Sequence, residues 1–297
     1  MKQKILILVD SASTITPEIA KKYDIEVLPL SIYRNDGQSY IYEALKMTGE
    51  EFLKMGDEGY KFSTSCTPQG ILEEVISTKL KEYDCILALP INQKWSSQYD
   101  HIKALSLQPE YQGKLFVANT VEFGYAIECL AIELREMINS GSYTMDDLVN
   151  YANDFHNKTI CFFACKELQG LVNSGRVPRI LAKGLKLLKI KPIIRFEGEN
   201  HLEAMLKNFS EVINGFIKAT LKTFGGKLPA KDIKSIAILN IDNSKEYLGE
   251  VVSDLVTAFG IPKDKIVIKM APNIFVNIAG HEAIGVHFIT NKEKPTE

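Results

Sequence analysis

The chain has 297 residues, 45% of them apolar, and its 35 basic and 37 acidic side chains leave a net charge of −2. That length suggests two domains with a sizeable core, and the balanced charge provides no global field to attract nucleic acid or an anionic membrane. No stretch reaches the ~18 apolar residues of a membrane span, and the opening MKQKILILVDSAS lacks the long apolar region and cleavage site of a signal peptide, so the reading is a soluble cytoplasmic protein with no integral membrane segment.

Residues 4–9 read as a strand, and the continuous apolar run after Lys4 is what a strand covered on both faces requires. Thr16 then caps a helix and Pro17 sits in its first turn. Residues 25–30 read as the next strand. Thr67-Pro68 opens a second helix that places Ile71, Leu72, Val75 and Ile76 on one face. Strands follow at 85–89 and 114–118, then a long helix over 122–138 that stops near Gly141, and another over 145–155. This alternation predicts an α/β fold with a wound parallel sheet in an N-terminal domain, residues 1–157. The second domain, residues 158–297, carries strands at 159–165, 190–196, 233–241, 266–270 and 285–289, with helices near 208–224 and 244–259. It reads as a second α/β domain.

Between its first two strands lies a turn, Asn173-Ser174-Gly175-Arg176, followed by a basic helix. Seven basic residues and no acid fall between Arg176 and Arg195. Arg176, Arg179, Lys183, Lys186 and Lys189 are spaced in helical steps of three and four. Such a stretch is either a solvated face or a docking surface, and its single sign is what speaks for docking.

Three polar segments of the first domain could carry chemistry: Asp10-Ser11-Ala12-Ser13, Ser63-Thr64-Ser65-Cys66-Thr67 and Trp95-Ser96-Ser97-Gln98-Tyr99. All three are expected to be loops. In wound α/β sheets ligands sit beyond the carboxyl ends of the strands, and hydroxyls with free N–H groups suit an anionic oxygen. The only cations are Lys61 and Lys94 at the edges, which fits a single carboxylate better than a triphosphate. The alternative is a set of ordinary caps and turns. Neither GxxxxGK[ST] nor a strand-linked GxGxxG is present. The five cysteines, Cys66, Cys85, Cys129, Cys161 and Cys165, read as free buried thiols, and no spacing suggests a metal site. Cys66 stands beside a helix start. A cysteine hydrolase would need His101 or His281 as its base, and no spacing supports one. His281 and His287 lie in NIAGHEAIGVHFI, each an interior or a surface histidine.

With these residues in hand, the chain resembles the DegV family of bacterial proteins along nearly its whole length. Asp10-Ser11-Ala12-Ser13 is similar to the family's opening DS[TA]S. Val27-Leu28-Pro29-Leu30 with Asp36-Gly37 and Tyr40 is similar to "vvPL…dG…Y". Ser63-Thr64-Ser65 is similar to the "kTSqPs" segment, and Trp95-Ser96-Ser97-Gln98-Tyr99 to "LSGTY". Gly175-Arg176 matches the end of "GGR", Lys191-Pro192-Ile193 matches "kPi", and residues 280–286 are similar to "GPGalGv". The chain departs from the pattern at Cys66 and Thr67, at Ser97 and Gln98, and at Asn119. It departs again where His281 falls on the Pro of GPG and Ile278 on the preceding His.

The resemblance implies two α/β domains with an apolar tunnel, between or beneath them, that holds one long-chain fatty acid. It implies that Thr64 and Ser96 bind the acyl carboxylate, with Ser11, Ser65, Ser97 and His281 in the ligand-binding set and Arg176 handling phosphate. It also implies a partner, a fatty acid kinase subunit docking between Arg176 and Arg195 and phosphorylating the bound acid. The chain itself is expected to bind lipid rather than catalyse a reaction, with no metal, no cofactor beyond the bound acid and no nucleic-acid partner. The rival readings are a small-molecule phosphotransferase or hydrolase using the same polar loops, and a nucleic-acid regulator whose binding would collapse with salt.

Overall fold

The computed structural model describes residues 3–34, 36, 41–43, 47–166 and 190–295. The chain divides into two compact units. One comprises Met1–Thr48, Gly56–His156 and Pro272–Ile274; the other comprises Gly49–Met55, Asn157–Ala271 and Phe275–Glu297.

The first unit begins with β1 (Ile5–Asp10), α1 (Pro17–Tyr23), β2 (Ile25–Leu28), β3 (Ser31–Arg34) and β4 (Ile41–Glu43). The helix α2 (Gly49–Asp57) falls to the second unit as far as Met55, and the first unit resumes with β5 (Phe62–Ser65), α3 (Gln69–Lys79), β6 (Cys85–Leu89), α4 (Gln98–Ser106), β7 (Leu115–Val117), α5 (Gly124–Ser140) and α6 (Met145–Asp154). Four strands form a parallel sheet in the order β2-β1-β6-β7. One face of it, including Leu6, Leu8, Ile86 and Ala88, shares a core with Leu72 and Ile76 of α3 and Ile102 and Leu105 of α4. Each such leucine or isoleucine contributes roughly 1.5–3 kcal/mol through burial. The alternate residues Ile5, Ile7 and Val9 face the other side, where α5 packs against β1. A separate antiparallel sheet has the order β4-β3-β5.

Local chemistry sets the helix ends. The Thr16 side chain accepts from the Ile19 N–H, and Gly141 ends α5 at φ 72°, a left-handed position that glycine adopts without steric cost.

The second unit contains β8 (Thr159–Ala164), β9 (Lys191–Glu197), β10 (Glu199–Leu206), α7 (Val212–Thr223), β11 (Ile233–Asn240), α8 (Lys245–Phe259), β12 (Ile266–Met270), α9 (Asn273–Ala279) and β13 (Ile284–Thr290). Its sheet has the order β10-β9-β8-β13-β11-β12, antiparallel except where β11 and β12 run parallel. Ile160, Phe162, Ile236, Ile238, Val286 and Phe288 form a core with α7 and α8. Within it Phe162 and Phe216 stack with ring centroids 5.7 Å apart. His287 points to the opposite face of the sheet. It is fully buried, and that burial pushes its pKa down to about 3.

Several expectations change. Ser63-Thr64-Ser65 is not a loop: it lies in β5, paired with β3. Residues 98–106 are helical and residues 199–206 form a strand, neither of which was expected. Cys66 is not buried, whereas the other four cysteines are. The basic stretch from Arg176 to Lys189, and the motif residues Gly37 and Tyr40, lie outside the described residues, while its last two basic residues, Lys191 and Arg195, lie in β9.

Candidate functional site

The strand order of the parallel sheet creates a switch point. From β1 the chain moves to β2 on one side, while β6 lies on the other and continues to β7. The crevice beyond the carboxyl ends of β1 and β6 is where wound sheets bind ligands. Asp10 closes β1 there and is 2% exposed. Its Oδ1 accepts from the Ala12 N–H at 3.0 Å and its Oδ2 from the Ile91 N–H at 2.7 Å, so one carboxylate joins the two strand ends. Burial pushes its pKa up to about 6, and the two N–H bonds partly oppose that rise. Ser11, expected at the ligand, is buried and ties down the end of β2: its Oγ accepts from the Leu30 N–H at 2.9 Å, and its own N–H donates to the Leu28 carbonyl at 2.9 Å.

The segment after β6 is braced by Asn92. Its N–H donates to the Glu122 carbonyl at 2.9 Å, its Nδ2 to the Val121 carbonyl at 3.1 Å, and its Oδ1 accepts from the Lys94 N–H at 2.9 Å. Val121 sits at φ 57°, a strained backbone for a β-branched residue. Trp95 stacks on Phe123 at 5.0 Å. This bracing holds the turn that leads into α4.

At the start of α4 the Ser96 Oγ accepts from the Gln98 N–H at 3.2 Å. Gln98 is wholly buried and reaches Thr67: the Thr67 N–H donates to Oε1 at 2.9 Å, and Nε2 donates to the Thr67 Oγ1 at 3.0 Å. The Thr67 hydroxyl in turn donates to the Pro29 carbonyl at 2.9 Å. Beside this pair, Cys66 Sγ lies 3.4 Å from His101 Nδ1, and the Ser97 hydroxyl donates to the sulfur at 3.7 Å. Ser65 Oγ is 3.9 Å from the same sulfur. Thr64 pairs with Ile32 in the sheet and is half-buried, while Ser65 is exposed.

The structure therefore brings together two of the three predicted segments directly: Ser65, Cys66 and Thr67 meet Ser97, Gln98 and His101. Thr64 and Ser96 each stand one residue away from that junction. Four of the positions that depart from the family pattern pair with one another, Cys66 with Ser97 and Thr67 with Gln98. His281 belongs to the second unit, where its Nδ1 lies 2.5 Å from Asp242 Oδ2. The Glu282 N–H donates to the same carboxylate, and Lys166 pairs with Glu282 at 2.5 Å. Sequence reasoning did not single out the bracing roles of Asp10, Asn92 and Gln98. The one available signal was an acid closing an otherwise apolar strand. Among the described residues, no group of three or more His, Cys, Asp or Glu could hold a metal ion, and no helix is long and apolar enough to cross a membrane.

Comparison with known proteins gives consistent results. The family described as "Uncharacterised protein, DegV family" matches residues 4–291. The chain is 37% identical over 294 residues to the DegV domain-containing protein UU535 of Ureaplasma parvum serovar 3, covering 99% of this chain and 98% of that one. It is similar in fold to a fatty-acid-binding DegV family protein from Thermus thermophilus, with a TM-score of 0.83, 18% identity and coverage of 97% and 99%. It is also similar in fold to the Streptococcus pneumoniae fatty acid kinase (Fak) B3 protein loaded with linoleic acid, with a TM-score of 0.79, 16% identity and coverage of 97% and 100%.

Proposed function

Because the chain belongs to the DegV family, we propose that it binds one long-chain fatty acid, with the carboxylate held by the Thr64 and Ser96 hydroxyls. It then presents the acid to a partner kinase that docks on the basic residues 176–195 and phosphorylates the carboxylate. Arg176 serves that phosphorylation step, and the chain itself catalyses nothing. The observation that carries this reading is the junction of β5 with the start of α4, beside the switch point of the parallel sheet. It sets two hydroxyl-bearing segments against each other where α/β sheets hold ligands.

The chemistry is suited to a carboxylate. A buried carboxylate needs hydrogen-bond donors, and Ser and Thr hydroxyls supply them without the cation cluster a polyphosphate would require. The rest of the affinity would come from the acyl chain, at about 0.8 kcal/mol for each buried CH₂. The similarity in fold to proteins that bind fatty acids supports the same ligand class here.

Native mass spectrometry of the purified chain, followed by denaturation and identification of the released molecule, tests this reading. A stoichiometric fatty acid is the expected result. The double variant Thr64→Ala with Ser96→Val should lose it. Acid retained at wild-type stoichiometry in that variant would overturn the head-group assignment. A chain that stays empty after incubation with C14–C18 acids would overturn the ligand itself.

A further inference from the structure

Cys66 is the one cysteine of the five that is not buried. Its sulfur contacts His101 Nδ1 at 3.4 Å, receives the Ser97 hydroxyl at 3.7 Å and has Ser65 Oγ at 3.9 Å. His101 projects from α4, and Cys66 lies between β5 and α3, so the pair forms only because the two segments meet. The imidazole is in position to accept the thiol proton, and the Ser97 hydroxyl can hydrogen-bond the sulfur that remains. A thiol, a base and a hydroxyl donor in contact, on a cysteine that is not buried, constitute a nucleophile that binding a carboxylate does not require.

We propose that Cys66 is a modification site for hydroperoxides. The sulfur attacks the O–O bond and takes one oxygen, giving a sulfenic acid. The leaving alkoxide or hydroxide takes up the proton held by His101 and departs as alcohol or water. The balance is RSH + ROOH → RSOH + ROH, with sulfur oxidised by two electrons and the peroxide reduced by two. The other four thiols are buried, which leaves the sulfenic acid rather than a disulfide as the product. The consequence for the ligand rests on the function proposed above: the added oxygen stands beside the Thr64 and Ser96 segments, so oxidation and carboxylate binding oppose each other.

The test treats the reduced full-length chain with hydrogen peroxide, traps sulfenic acid with dimedone and maps the label by peptide mass. Label is expected on Cys66 and not on the buried thiols. His101→Gln should slow labelling about 10-fold or more while keeping the wild-type urea-unfolding midpoint, which shows that the variant is folded. Oleate bound beforehand should slow labelling of the wild type. Labelling no faster than in the urea-unfolded chain, or unaffected by His101→Gln, would overturn the proposal. Fast, His101-dependent labelling that oleate does not slow leaves the modification site standing and overturns the head-group position.

Discussion

Asp10 closes a strand whose other five residues are apolar, and it takes a charge into a wholly buried position. Two effects compete there. Burial disfavours the carboxylate, while the N–H groups of Ala12 and Ile91 favour it, and burial prevails because the pKa rises from 3.8 to about 6. The sign follows from proton counting. Between those two values the folded chain binds more protons than the unfolded one, so the contribution of Asp10 to stability is present at low pH and is lost as pH rises through about 6. Asp10→Asn removes this titration. Urea unfolding of both proteins from pH 4 to pH 7 should show the wild type losing up to about 3 kcal/mol relative to the variant. A difference that moves the other way would mean that the two N–H bonds outweigh burial. At this scale the sequence was only partly legible. Short motifs offer Thr64 and Ser96 only as candidates, while the contact of Cys66 with His101 spans 35 residues and depends on two segments meeting. No linear spacing encodes it. The partnership of Thr67 with Gln98 was hidden for the same reason.

Elements were legible where burial is two-sided. The apolar runs ILILV and CILAL could be read as strands because helices cover both faces of the parallel sheet. β5 is FSTS, and half of its residues face solvent; three hydroxyl residues in a row look like a loop until the pairing with Ser31–Arg34 is known. β10, ENHLEAML, has no β-branched residue to mark a strand, but the turn at Gly198, φ 71°, folds it back on β9. Here tertiary pairing overrides local preference. Other elements are joined by single side chains. Arg135 of α5 is 8% exposed, and its guanidinium donates to the carbonyls of Tyr23 at 2.8 Å, Asp24 at 2.7 Å and Ile5 at 3.1 Å. It thereby satisfies the end of α1 and the start of β1 together. Burial lowers its pKa from the usual arginine value, yet the group stays charged at any ordinary pH. Arg135→Leu leaves three carbonyls without their donor and should cost about 2–3 kcal/mol in urea unfolding. Arg135→Lys should recover only part of that, since one ammonium cannot span the three acceptors. Equal stability of the lysine variant and the wild type would show that charge, not the planar fork, is what matters.

The two compact units carry buried titratable groups of opposite sign, and this gives the whole molecule a divided response to acid. His287 lies in the sheet of the second unit, where burial lowers its pKa from 6.5 to about 3. Its neutral form suits the interior, so the unfolded chain binds the extra proton first, and stability is lost as pH falls below about 6.5. At pH 4.5 that loss reaches about 3 kcal/mol. Asp10 sits in the first unit, and its protonation over the same range adds about 2 kcal/mol. Acid should therefore loosen one unit while tightening the other. Hydrogen exchange at pH 7 and pH 4.5, corrected for intrinsic rates, would detect this segment by segment. Amides of β11 and β13 should lose protection at the lower pH, while those of β1 and β6 keep or gain it. His287→Gln should abolish the loss in the second unit without altering the first, because the variant has no proton to take up on opening. Equal changes in both sheets, or a loss that persists in the variant, would show that acid acts through the net charge of the chain and not through these two buried groups.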